Sequence, residues 1–206
     1  MNVRESLLKA AIAAYADAGV RGATTRLIAQ QAGVNEVTLF RHFKTKDELL
    51  DAALEHFARN VTTLDLPAQP VDPHAELVLW CKAHHRELYR IRALIRRSMG
   101  EYEQHPAHCR HGMQASVRIA AELSSYLQRL KARRLAAPDF DERVATNILM
   151  GAIFADAMGR DTMPERYPYS MRDAIEQYVT LLLRAIGATA PVTTPVPATT
   201  STRKGR

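Results

Sequence analysis

Thr24-Thr25-Arg26-Leu27-Ile28-Ala29-Gln30-Gln31-Ala32-Gly33-Val34-Asn35-Glu36-Val37-Thr38-Leu39-Phe40-Arg41-His42-Phe43-Lys44-Thr45-Lys46-Asp47-Glu48-Leu49 carries three helix starts and one tight turn. Thr24-Thr25 puts a hydroxyl where the free backbone N–H groups of a helix need an acceptor. Ile28, Ala29 and Ala32 are the apolar positions of that helix, and Ala29 is small where two helices must cross closely. Gly33 supplies the positive φ of a tight turn, and Val34 closes it. Asn35 caps the next helix, with Glu36 at its positive end and Leu39 and Phe43 four apart on its inner face. Thr45-Lys46-Asp47-Glu48 is a capping box that opens a fourth helix. Two short helices separated by about three residues around a glycine form a helix-turn-helix, in which the second helix enters the major groove of DNA. Any small helical bundle can contain such a pair, so the layout alone leaves other roles open.

Outward from this stretch, nearly everything reads as helix. A first helix runs from about Val3 to Asp17, with Leu8, Ala11, Ile12 and Tyr15 on one buried stripe. The fourth ends before Pro67, and five longer segments follow, divided by clusters of proline and glycine. The expected fold is all-α with about nine helices. Residues 1–48 are expected to form a three-helix helix-turn-helix unit, and 49–187 a larger helical bundle. Helix four connects the two. Residues 188–206 are a Pro/Thr-rich tail with a basic end, expected to be disordered.

The 206 residues allow one large domain or two small ones at roughly 100–200 residues each. With 47% hydrophobic and 24% charged residues, the chain has the balance of a globular protein, which argues against disorder throughout. No apolar run reaches the ~18 residues of a membrane span, and the N-terminus lacks the apolar stretch of a signal peptide. Cys81 and Cys109 are too few for a disulfide framework and suit a reducing compartment, so a cytoplasmic location is expected. No glycine sits in a phosphate-cradling pattern. Net charge is +6, but Arg203, Lys204 and Arg206 supply three of those charges from the C-terminal end. Within residues 1–50 seven bases face five acids, so charge is compatible with DNA binding and cannot establish it.

The residues themselves go further. From Arg4 to about Leu54, including Ala10-Ala11 and Gly19, the sequence closely resembles the DNA-binding segment of the TetR family of bacterial transcriptional regulators. That resemblance covers a quarter of the chain; beyond residue 60 it is one of architecture only, and it implies a DNA-binding domain over 1–48 and an effector-binding and dimerisation domain over 49–187. It implies that Thr25 and Arg26 approach DNA from the start of helix two. It implies further that Asn35, Glu36, Val37 and Thr38 face the groove, and that Phe40, His42 and Lys46 meet the backbone. The chemistry agrees: Arg26 and Lys46 can pair with phosphates, and His42 can hydrogen-bond one. Val37 and the Thr38 methyl can touch a thymine methyl, and Glu36 can accept from a cytosine amine. Two positions depart from the family pattern. Phe40 stands where tyrosine is usual, which removes a hydroxyl from the phosphate contact, and Val37 stands where small residues are common. Arg41 fits either a DNA contact or a solvated position beside helix one.

In the larger half, Leu77, Cys81, His84 and Leu88 share one helical face, and Met113, Val117, Ala120, Leu123, Leu127 and Leu130 share another. Trp80, His84, Tyr89, Met99, Tyr102, Met113, Met150 and Phe154 are the candidate pocket lining, since pockets between bundle helices are usual ligand sites. The same residues equally suit an ordinary core. An effector with a sizeable hydrophobic part is expected, and the histidines leave room for a polar or anionic group. Ile148, Gly151 and Ala155 of helix eight, with Tyr178, Leu181, Leu182 and Ala185 of helix nine, make apolar surface wide enough for burial on two sides. A homodimer reading a palindromic operator in double-stranded DNA is expected, most often as a repressor by resemblance. No cofactor other than the effector is implied.

His105, His108, Cys109 and His111 fall within seven residues, a composition able to bind zinc or copper. A metal sensor is therefore the alternative reading, although Pro106 interrupts the cluster. An enzyme is not expected: Glu101, Glu103 and Asp156 form no motif with a nucleophile or a paired acid.

Overall fold

A computed structural model describes residues 2–61 and 64–188. These residues hold nine α-helices and one 3-10 turn, and no strand. The helices are α1 (Val3–Gly22), α2 (Thr25–Gln31), α3 (Glu36–His42), α4 (Lys46–Arg59), α5 (Pro73–Arg90), α6 (Arg92–Gly100), α7 (Pro106–Ala132), α8 (Glu142–Gly159) and α9 (Met171–Ala185), with the turn at Pro164–Arg166. The all-α architecture expected from the sequence is the one found. Apart from Ala188, the expected disordered tail lies outside the described residues.

Local chemistry accounts for most of the helix starts. Thr24 Oγ1 accepts from Leu27 N at 3.2 Å, Asn35 Oδ1 from Thr38 N at 2.8 Å and Thr45 Oγ1 from Glu48 N at 3.1 Å. Each such cap stabilises by about 1 kcal/mol. The capping box is offset by one residue. Glu48 Oε2 accepts from Lys44 N at 2.9 Å, so it closes the approach to the helix. Between α2 and α3, Val34 N donates to Ala29 O and Gly33 N to Gln30 O. This is a Schellman closure with Gly33 at φ 71°, and a Cβ at Gly33 would meet nothing within 4 Å. The glycine is there for its backbone angle, not for space.

Helix one was expected to stop near Asp17. It runs to Gly22 instead, broken by Gly19 at φ 70°, ψ −173°. A carboxylate explains the glycine: an ideal Cβ there would fall 2.1 Å from Glu101 Oε1. Helix seven also departs from the expected register. Val117 is 69% exposed and Met113 half exposed, whereas Ala115, Ile119, Leu123, Tyr126, Leu127 and Leu130 are buried. The true stripe joins Ala115 and Ile119 to the lower turns, and small Ala115 gives a weak hydropathy signal.

Two apolar clusters result. One packs Leu7, Leu8, Ala11, Tyr15, Ile28 and Leu39 against Leu49, Leu50 and Leu54 of α4 and Leu94 of α6. The other joins Leu77, Trp80 and Cys81 of α5 to Leu123, Leu127, Leu149, Ile153, Ile175 and Val179. Each fully buried Leu or Ile contributes roughly 1.5–3 kcal/mol. The expected domain limit at residue 48 falls inside α4, and the N-terminal packing continues along that helix to Leu54.

Candidate nucleic-acid interface and ligand cavity

Helix α3 is held from beneath by Leu39, fully buried, and by Phe43, 2% exposed, whose ring also lies 5.4 Å below the Arg4 guanidinium. That anchoring turns the other face outward. Val37 is 78% exposed and Phe40 48%, an unusual position for large apolar side chains. Arg26, Asn35 and Arg41 are exposed beside them, and Thr25, Glu36, Thr38 and His42 are half-buried. All of the expected DNA-facing residues are thus exposed or half-buried, with two qualifications. The Glu36 carboxylate accepts from the Thr25 hydroxyl at 2.7 Å, so the two expected contacts hold each other in the free protein. Lys46 Nζ donates to Val20 O at 2.8 Å, which ties a residue expected at phosphate to the kink in α1. An ammonium has three donors, so two remain.

Between α4, α5, α6, α7 and α8 lies a cavity of about 720 Å³. His84, Met99, Tyr102, Met113, Met150 and Phe154 line it as expected. Trp80 and Tyr89 do not. The Trp80 ring stacks behind His84 at 5.2 Å and belongs to the bundle core. Tyr89 faces outward beneath the Arg92 guanidinium at 4.0 Å. Leu54, Phe57 and Ala58 of α4 and Leu94, Ile95 and Ser98 of α6 complete much of the wall. The expected lining did not name these residues, although it included Met99 of the same α6. Burial, reinforced by neighbouring His85, pushes the His84 imidazole down to about 4, and burial, then His105, also lowers His108.

The histidine cluster disperses. His108 stacks on His105 at 5.5 Å and meets the Tyr15 ring edge-on at 6.0 Å. Cys109 Sγ donates to Ser98 O at 3.0 Å, and burial raises its thiol. His111 Nε2 lies 3.0 Å from Asp51 Oδ1 on α4. Among the described residues no three His, Cys, Asp or Glu side chains are placed to hold a metal ion. The metal-sensor alternative is therefore set aside: successive residues on a helix point in different directions, and closeness in sequence did not become closeness of donors.

Residues 7–53 match the family model described as bacterial regulatory proteins, tetR family. The N-terminal segment is thus of the tetR type. Over 70 residues it is 37% identical to the HTH-type transcriptional repressor Rv3405c of Mycobacterium tuberculosis, covering 34% of this chain and 37% of that one. Over 58 residues it is 45% identical to the class D tetracycline repressor protein of Escherichia coli, covering 28% of this chain and 27% of that one. The matched segment thus spans little more than a third of these relatives at most. Along the whole length the likeness is one of fold. A Mesorhizobium loti chain described as a TetR-family transcriptional regulator superposes with TM-score 0.76 at 20% identity, covering 90% of this chain and 97% of that one. The regulator FadR of Bacillus subtilis, solved in complex with stearoyl-CoA, superposes with TM-score 0.62 at 16% identity, covering 88% and 98%.

Outside the matched segment, α8 and α9 present apolar surface without a partner in the same subunit: Ile148 is 62% exposed and Leu181 60%. Gly151, Ala155 and Ala185 are exposed beside them. Leu182 is corrected from the expected interface to the core, 5% exposed, because the wide apolar face of α9 turns that residue toward α5. Tyr178 is half-buried and donates to Asp156 Oδ2 at 3.2 Å. Asp156 itself, fully buried, takes His85 Nε2 at 2.7 Å and both Arg160 Nε at 2.9 Å and Nη2 at 2.6 Å. Burial pushes its carboxyl up, but the hydrogen bonds from Arg160 and His85 outweigh that and hold it below the usual carboxylate range. A carboxylate so occupied clamps α5, α8 and α9 together.

A second set of contacts, also unseen in the sequence, joins the cavity wall to the reading head. Arg97 Nη2 donates to Asp17 O at 2.9 Å, and the Tyr15 hydroxyl to Ser98 Oγ at 3.4 Å. Val20 N donates to both Glu101 oxygens at 3.3 Å. The only sequence sign was the lone glycine at position 19, whose partner lies 82 residues on. No helix among the described residues is long and apolar enough to cross a membrane.

Proposed function

We propose that the chain is a dimeric transcriptional regulator that binds an inverted-repeat operator and is released from it by a small, largely hydrophobic effector. The observation that carries the reading is the outward face of α3. Val37 and Phe40 stand exposed beside Arg26 and Thr38, on a helix fixed from below by Leu39 and Phe43. The match of residues 7–53 to the tetR family model supports it, as do the relatives described as repressors. The exposed apolar faces of α8 and α9 support a two-fold dimer. One recognition helix reads only a few base pairs, and two set about 34 Å apart read a palindrome.

Release would be a coupling between two sites. Helix α4 lines the cavity through Leu54, Phe57 and Ala58 and carries Thr45 at its other end against the reading head. Helix α6 lines the cavity through Ser98 and Met99 and grips α1 through Arg97, Ser98 and Glu101. An effector wedged between these helices moves both handles of the reading head together, and the two recognition helices lose their match to successive grooves. The neighbour solved with stearoyl-CoA supports ligand capture by this fold.

The test is selection from a random duplex pool by the purified full chain at moderate salt. An enriched inverted repeat that is lost in Thr38→Ala, and held more weakly but still preferred in Arg26→Ala, is the expected result. No enrichment from a folded dimer would overturn the reading.

A further inference from the structure

Taking the cavity as the effector site, as proposed above, we infer that its ligand is an uncharged, mainly apolar molecule whose one or two hydroxyl or carbonyl groups pair with His84 and His108, and that organic anions are refused. The composition of the wall carries this. Among the described residues no lysine or arginine lines the cavity. Glu87 is the one acidic lining residue, and both its oxygens are taken by Arg90, at 2.8 Å from Nε and 2.6 Å from Nη2. Arginines on nearby turns are committed elsewhere: Arg97 to Asp17 O, Arg118 to Ala58 O and Arg110 to Asp51. A carboxylate, phosphate or acidic carrier thioester entering this space would leave water without gaining a cation, a large penalty. A quaternary ammonium would find its only carboxylate already paired.

Tyr102, Ser116 and Asn147 also line the cavity but are open to solvent; the buried polar groups of the wall left without a partner are imidazoles. His84 is 5% exposed and His108 7%, both line the cavity, and Nδ1 of each is buried without a hydrogen-bond partner. Both nitrogens are sealed from the cavity as well as from water, so a ligand reaches them only with a turn of the ring; buried polar atoms are normally satisfied, and that turn gains each a partner. Burial keeps both rings neutral at pH 7. A neutral imidazole offers one donor and one acceptor, which suits a hydroxyl or a carbonyl. The Trp80 ring stacked on His84 and the Tyr15 edge on His108 hold the two rings in place. The remaining surface, with Phe57, Leu88, Ile95, Met150 and Phe154, suits an alkyl or ring body.

The experiment compares head groups on a constant body. Decan-1-ol, decan-2-one, decanoate and decyltrimethylammonium, with 2-naphthol and 2-naphthoate as a ring-shaped pair, are titrated calorimetrically into the full chain at pH 7.5. Each is then tested for release of the selected duplex. The neutral member of at least one series should bind ten-fold or more tighter than its charged counterparts. His84→Phe should weaken that binding about ten-fold without lowering the melting temperature of the unliganded protein. Binding of decanoate, 2-naphthoate or decyltrimethylammonium as tight as the neutral probe overturns the inference, as does silence from every neutral probe. Neutral binding without duplex release supports the ligand class while overturning the effector role; release driven by an anion overturns the ligand class and keeps the effector role.

Discussion

In the reading head each helix start from α2 to α4 is closed by a side chain three positions away, and the bundle, whose α5, α8 and α9 are capped in the same way, adds ties such as His85 with Asp156, 71 positions apart, and Lys82 with Glu176, 94 apart. The two regions also differ in what they leave unpaired. The buried side-chain atoms without a hydrogen bond among the described residues belong to Trp80, His84, His85, His108, Arg129 and Thr146, all in the bundle. A unit whose polar groups are satisfied locally is rigid and presents one shape to DNA. A unit with orphaned polar groups around an open volume has something left to gain from a ligand. Position and function thus follow from where the hydrogen bonds go.

The sharpest way to break that contrast is to destabilise one unit and watch the other. Leu39→Ala removes a fully buried side chain from the reading head and should cost about 2–5 kcal/mol. In urea, helix content should then begin to fall before Trp80, the single tryptophan and a bundle residue, changes its fluorescence. A single coincident transition would show that the two clusters unfold as one unit.

Next in size is the pH response of the cavity. His84 is neutral when folded, with its pKa lowered to about 4 from an ordinary 6.5. The unfolded chain takes up the proton first, so this contribution to stability is complete above about pH 6.5. It is lost as pH falls toward 4, up to about 3 kcal/mol. Denaturation midpoints should drop through that window, and His84→Phe should flatten the drop. His108 adds a smaller fall of the same sign.

Glu101→Gln tests the link between the regions. It keeps the shape at Gly19 but weakens the acceptor for Val20 N. Ligand affinity should be unchanged, and the ligand-induced loss of duplex affinity should shrink by about five-fold or more, the scale of a typical coupling energy. Parallel ligand and duplex titrations would show it. The smallest effect belongs to Thr45→Ala, where one lost cap should lower stability by about 1 kcal/mol in a thermal melt.

The same contrast explains what could be read in advance. Gly33, Asn35 and Thr45 announce their structure within four residues, so the helix-turn-helix and its exposed face were legible. Leu182 and Val117 were misplaced because a helix with apolar residues around most of its surface does not say which side meets its own subunit. Trp80 was placed in the cavity on hydrophobicity alone, which cannot separate a wall from the layer behind it. Glu101 and Arg97 were unreadable as partners of α1, since nothing local demands an acceptor 81 residues away from Val20. The His105–His111 run misled for the opposite reason: its residues are adjacent in sequence but serve α6, α4 and the cavity separately.

The most direct measurement is a fluorescence-anisotropy titration of the selected duplex and a scrambled one with wild type, Thr38→Ala and Arg26→Ala at two salt concentrations. A chain that reads bases through α3 predicts that Thr38→Ala loses about 1–3 kcal/mol on the selected duplex alone. Arg26→Ala should weaken both duplexes alike and lower the salt dependence by about one counterion. Wild-type affinity and salt dependence in both variants would contradict it.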